Sequence, residues 1–181
     1  MDIPAGLGAA LAQELDLPSV GEAGVILLRL VTALVLGALL GWDRERKGRA
    51  AGLRTHMLVC AGTALFVMAP LFAGVSLADA TSVMEGIVAG IGFLGAGAIL
   101  KSEGGQRVEG LTTAAGIFMT AAIGMAAGLG EELLAVAASM LALGVFAALP
   151  KLLGDEPATT TGADADAPRS GSADGSDEAS R

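Results

Sequence analysis

A chain of 181 residues that is 53% hydrophobic but only 17% charged, with a mean hydropathy of +0.66, lies outside the range of ordinary soluble domains. Aromatics make up 3%, Tyr is absent and Gly reaches 27, so the apolar character comes from small and aliphatic residues suited to close helix contacts in lipid. The formal charge of -8 belongs largely to the end of the chain, where seven acids from Gly154 onward face only Arg169 and Arg181; no nucleic-acid partner is expected.

The N-terminus carries no Lys or Arg before Arg29, so the basic start of a cleavable signal is missing and the first apolar segment is expected to stay in the mature protein. Residues 1–22 place Leu7, Leu11 and Leu15 at helical spacing beside Gln13, Glu14 and Asp16, the pattern of a short amphipathic helix at the membrane surface. Residues 23–41 then supply about the twenty apolar positions that a span requires, interrupted only by Arg29. After a polar stretch a second span is read over 53–73, with Pro70 close enough to its end to cost few hydrogen bonds. Cys60 within it has no second thiol nearby and reads as a small packing residue.

A third span, 83–100, is dense in glycine, and Gly86 and Gly90 form a small-xxx-small pair that invites close approach of neighbours or of another copy. A Gly-rich polar loop follows, then spans over 111–129 and 132–153. The chain is thus expected to be an all-α bundle of five transmembrane helices. The segment 154–181, rich in Ala, Thr, Gly, Ser and Asp, cannot bury enough apolar surface to offset chain entropy and is expected to be a disordered tail.

Positive charge sets the orientation, because Lys and Arg near span ends are retained in the cytoplasm. Arg44, Arg46, Lys47, Arg49 and Arg54 lie at the first connection, Lys101 and Arg107 in the third, and Lys151, Arg169 and Arg181 after the last span. The N-terminal segment and the other two connections have none. Five spans with the N-terminus outside and the tail in the cytoplasm satisfy every charge.

Few residues suggest chemistry. Gly90-Ile91-Gly92-Phe93-Leu94-Gly95 spells the dinucleotide fingerprint, but no strand precedes it and it lies at membrane depth, so helix packing or a local helix break is the better reading. Arg29 is costly inside a span, and Glu85 lies a few residues inside the third span from the same side; the two either form an intramembrane ion pair or sit apart, with Arg29 snorkelling outward and Glu85 simply at the interface. The cytoplasmic span ends gather Asp43, Arg44, Glu45, Arg54, Thr55, His56, Lys101, Arg107, Thr112 and Thr113. Asp43 and Glu45 there, and Glu85 elsewhere, are candidate Mg²⁺ ligands, although an internal salt-bridge network is favoured because guanidinium groups compete for the same oxygens. No nucleophile with a base and no P-loop stands out, so neither an enzyme nor a cofactor is expected.

Four ordered blocks carry a family resemblance: Gly41-Trp42-Asp43-Arg44-Glu45-Arg46, Ala51-Gly52-Leu53-Arg54-Thr55-His56, Gly90-Ile91-Gly92-Phe93-Leu94-Gly95-Ala96-Gly97 and Gly110-Leu111-Thr112-Thr113-Ala114-Ala115. Over about residues 25–150 the chain resembles the MgtC/SapB family of bacterial inner-membrane proteins. The resemblance implies five spans, a role in growth at low magnesium, and action on other membrane proteins, the F-type ATP synthase among them, rather than carriage of magnesium. A magnesium or other cation transporter is the competing expectation. Asp43 stands where the family usually has Glu, Phe118 where Trp is common, and Ser82 where an Arg is frequent.

Overall fold

The computed structural model describes residues 18–101 and 108–153; the expected surface helix around Leu7 to Leu15, Arg107 and the acidic tail lie outside the described residues. Five helices follow in order: α1 (Val20–Arg46), α2 (Leu53–Phe72), α3 (Leu77–Gly97), α4 (Leu111–Leu129) and α5 (Glu132–Leu153). Between α3 and α4 the two-residue strands β1 (Leu100–Lys101) and β2 (Val108–Glu109) pair antiparallel, Leu100 opposite Glu109. The helices α1 to α4 are each long and apolar enough to cross a membrane, and α5 is apolar as well.

Caps set two of the helix starts. Ser19 and Glu22 form a capping box: the Ser19 hydroxyl accepts from the Glu22 N–H at 3.2 Å and the Glu22 carboxylate accepts from the Ser19 N–H at 2.8 Å. Ser76 caps α3 by accepting from the Asp79 N–H. That cap starts α3 six residues before the position read from hydropathy, and the helix stops at Gly97 rather than Leu100 because the chain there turns into the β1–β2 pair. The glycine-rich segment stays helical throughout, so the local break considered for Gly90 to Gly95 does not occur.

Exposed positions are apolar, as in a protein solvated by lipid: Leu27, Leu58, Phe66, Phe93, Leu133 and Leu141 all face outward. The interior is built from small residues instead. On α1 a Cβ added to Gly37 would lie 2.7 Å from the His56 carbonyl oxygen and 2.9 Å from the Cys60 Cβ, and one on Gly41 would lie 2.7 Å from the Leu53 Cα. On α4 a Cβ at Gly128 would lie 2.6 Å from the Ala64 carbonyl oxygen, and one at Gly124 would collide with the Cys60 carbonyl and the Thr63 hydroxyl. Helix α2 is therefore gripped on two sides by glycine pairs four residues apart, which bring three backbones together.

The expectation that α3 supplies the close approach is corrected here. Gly86, Gly90, Gly92 and Gly97 have open space where a Cβ would stand, and only Gly95 touches a neighbour, Ala114, at an ordinary 3.7 Å. Helix α3 sits at the edge of the bundle, with 6% of its apolar window buried against 56% for α4. Hydroxyls in the core turn back on their own helices: Thr120 donates to the Gly116 carbonyl and Ser139 to that of Ala135, each at 2.8 Å.

Two substitutions separate the glycine classes. Gly124→Val is expected to cost at least about 1–3 kcal/mol by forcing α2 and α4 apart. Gly90→Ala, on the open face, should change stability by less than about 1 kcal/mol and in the stabilising direction. Thermal unfolding in detergent reads both; equal losses would contradict the gripped-helix packing.

Candidate functional site

The polar residues gather where α1 ends and α2 begins. The last turn of α1 carries Asp43, Arg44, Glu45 and Arg46, and a six-residue connection leads to Leu53. Arg44 is only 3% exposed, with its guanidinium carbon 3.7 Å from the centroid of the Phe146 ring on α5. A buried cation needs both an anion and a polarisable surface, and here it has both: its Nη2 lies 2.8 Å from the Asp43 carboxylate and its flat face rests on the ring. Lys47 completes the pair from the other side at 2.9 Å.

Lys47 does more than neutralise Asp43. Its Nζ donates to the Phe146 carbonyl oxygen at 2.6 Å. In a regular helix that carbonyl would accept from residue 150, but Pro150 has no N–H. The lysine thus satisfies an acceptor in α5 that Pro150 deprives of a donor.

Glu45 performs the corresponding service for α2. The start of that helix has no side-chain cap of its own, Gly52 standing at the N-cap position. The Glu45 carboxylate accepts from the Leu53 N–H at 2.6 Å and places negative charge at the positive end of the helix dipole. Gly52 is required by this arrangement, since a Cβ there would collide with the same carboxylate oxygen. Beside it, the His56 Nδ1 donates to the Gly52 carbonyl at 2.9 Å, while Nε2, on a side chain 1% exposed, has no partner among the described residues.

At the opposite end of the bundle, Arg29 Nη1 donates to the Gly128 carbonyl at 2.9 Å, and its guanidinium lies 5.9 Å from the Phe72 ring. The reason is the way α4 ends. Gly130, at φ 86°, turns the chain left-handed, and the Glu131 and Gly130 N–H groups return to the Ala126 and Ala127 carbonyls. That motif leaves the next carbonyl, Gly128, unserved, and Arg29 fills it at the negative end of the dipole. The expected Arg29–Glu85 ion pair is therefore not formed: Arg29 faces α4, and Glu85 lies on the outer surface of α3.

The three candidate Mg²⁺ ligands are not brought together. Asp43 and Glu45 share one end of the bundle but have their oxygens committed to Arg44, Lys47 and the Leu53 N–H, while Glu85 sits far along α3. No group of three His, Cys, Asp or Glu with metal-binding geometry occurs among the described residues. Of the other motif residues, Thr113 is buried, Thr55 and Gly110 are half-buried, and Arg54, Leu111, Thr112 and Phe93 are exposed. The sequence marks Lys47 only as an orienting charge and does not mark Phe146; Pro150, four positions after Phe146, is the signal for the tie between them.

The MgtC family model matches residues 30–154. The chain belongs to the MgtC family. It is 47% identical over 115 positions to the protein SrpB of Synechococcus elongatus, covering 56% of this chain and 62% of that one. It is 42% identical over 117 positions to MgtC of Salmonella typhimurium, covering 65% of this chain and 49% of the relative. A 37% identity over 124 positions links it to the protein of Escherichia coli K12 named putative magnesium transporter YhiD, with 65% and 57% covered. The chain spans about half to three fifths of the length of these relatives. No solved structure matches it.

Lys47→Met should destabilise the protein by about 1–3 kcal/mol, the cost of a buried acceptor left unpaired. In a Pro150→Ala background the same change should cost much less, because an alanine at that position restores the missing N–H. A double-mutant cycle on unfolding in detergent measures this; additive losses would remove the link between the two residues.

Proposed function

We propose that this multi-pass membrane protein is a non-enzymatic component of the bacterial inner membrane that supports magnesium homeostasis or adaptation to low magnesium by contact with membrane partners. In this reading all five helices span, the N-terminus lies outside, and the basic connection of Arg44, Arg46, Lys47, Arg49 and Arg54 faces the cytoplasm.

What carries the reading is the commitment of the acids. Magnesium sheds its water reluctantly and asks a protein for free oxygen ligands and room for retained water. Asp43 and Glu45 hold a buried arginine, a lysine and a helix start, and the interior between α1, α2 and α4 is closed by backbone contact at Gly37, Gly41, Gly124 and Gly128. These acids act as structural members, which leaves the outer helix faces and the connections as the surfaces available for function. The family name and the magnesium in the name of the Escherichia coli relative supply the physiological setting.

The test is magnesium entry into sealed liposomes holding the purified full-length protein, beside a triple variant, Asp43→Asn, Glu45→Gln and Glu85→Gln. No flux above empty liposomes is expected from folded protein, while expression in a host lacking its own family member should restore growth in low magnesium. Flux that the triple variant abolishes would make transport the function instead.

A further inference from the structure

Helix α3 carries a carboxylate in a place where a bilayer offers it nothing. Glu85 is exposed on the bundle and takes part in neither of the ion pairs found among the described residues, which both involve Asp43. Its depth follows from the neighbouring groove, where Val83, Gly86 and Gly90 of α3 lie beside Thr63 and Phe66, near the middle of α2. Counted along α3, Glu85 is about 12 Å from the first residue, within a helix long and apolar enough to cross a membrane. Ionisable groups at such depth face a bundle interior or a partner, because hydrocarbon neither solvates nor pairs them.

The surface around it is shaped for a helix. Thr81, Ser82, Glu85, Ala89, Gly92 and Ala96 recur at helical spacing along one face and are all exposed. Apart from the glutamate they are small, so another backbone can come close, and a shallow groove of about 520 Å³ runs beside Glu85 along Thr81, Met84, Val88 and Ala89.

Charge decides between the candidate occupants. A second copy of this chain would have to offer a cation at the same depth, and within the apolar part of the described helices that cation is Arg29, already bound to the Gly128 carbonyl and packed against Gly130. Two facing copies of α3 would set Glu85 against Glu85. We infer that this face of α3 docks a transmembrane helix of a different protein, one that carries a Lys or Arg opposite Glu85. The inference rests on the proposed role in partner contact and names the surface and the chemistry of that contact.

The probe is a synthetic transmembrane helix of about 20 Leu and Ala residues with a single central Lys, beside an otherwise identical peptide with Leu in its place. Binding to the labelled full-length protein in phospholipid vesicles is read by energy transfer. The Lys peptide should bind about tenfold more tightly. Glu85→Gln should erase that preference, and Gly92→Ile should weaken binding of the Lys peptide; neither change touches a packed contact, and circular dichroism checks that both variants fold. Equal binding of the two peptides, a preference that survives Glu85→Gln, or self-association of the protein abolished by Gly92→Ile would each overturn the inference. Because the readout involves no ion movement, magnesium flux would sink the proposed function without altering this result, and loss of the Lys preference would sink this inference alone.

Discussion

The arrangement depends on how closely three backbones approach. Lipid tails are as apolar as leucine, so burying hydrocarbon gives helices in a bilayer little reason to associate; dispersion at short range and satisfied polar groups must supply it. Gly37 and Gly41 on one side of α2, and Gly124 and Gly128 on the other, allow that contact, and Cys60 and Ala64 are the small residues they close upon. Everything else is positioned by this grip. Arg29 reaches α4 because α1 and α4 converge on α2, and Arg44 meets Phe146 because the same convergence leaves a flank for α5.

Three charged residues follow one rule. Each is spent on a backbone group that its own helix leaves without a partner: Glu45 on the start of α2, Arg29 on the end of α4, Lys47 on the carbonyl opposite Pro150, while the buried Arg44 is held by Asp43 and the Phe146 ring. In the motif of alternating acids and bases, Glu45 terminates a helix and Asp43 holds the buried Arg44. Glu85 stands outside the rule, which is why it, rather than the crowded Asp43 cluster, marks a surface with unfinished business.

Much of this was legible in the sequence, and the reasons for the rest are specific. Apolar runs bounded by polar connections announced five helices, and the Ser19-x-x-Glu22 and Ser76-x-x-Asp79 patterns carried the true starts of α1 and α3, though hydropathy alone placed them later. Three glycine pairs within the described helices share one spacing, and spacing cannot say which pair meets a neighbour; two do and Gly86 with Gly90 does not. The partner of Arg29 could not be read because a carbonyl has no letter of its own. Sequence offers acids as candidates for a buried arginine, and the nearest acid in depth was Glu85, whereas the better acceptor was a helix end created by Gly130.

The two long ties of α1 also set an order of assembly. Arg29 to Gly128 and Lys47 to Phe146 each join residues 99 positions apart, one tie near each end of the bundle. While the chain is being synthesised, α1 and α2 can close on each other early, but α1 enters the membrane with both of these cations lacking their final acceptors. Until α4 emerges Arg29 must borrow water or headgroups, whereas Lys47 keeps its Asp43 partner within the same helix end. A product truncated before Gly128 would leave both ties unmade, whereas one that ends between Gly130 and Phe146 would leave only the Lys47 tie unmade.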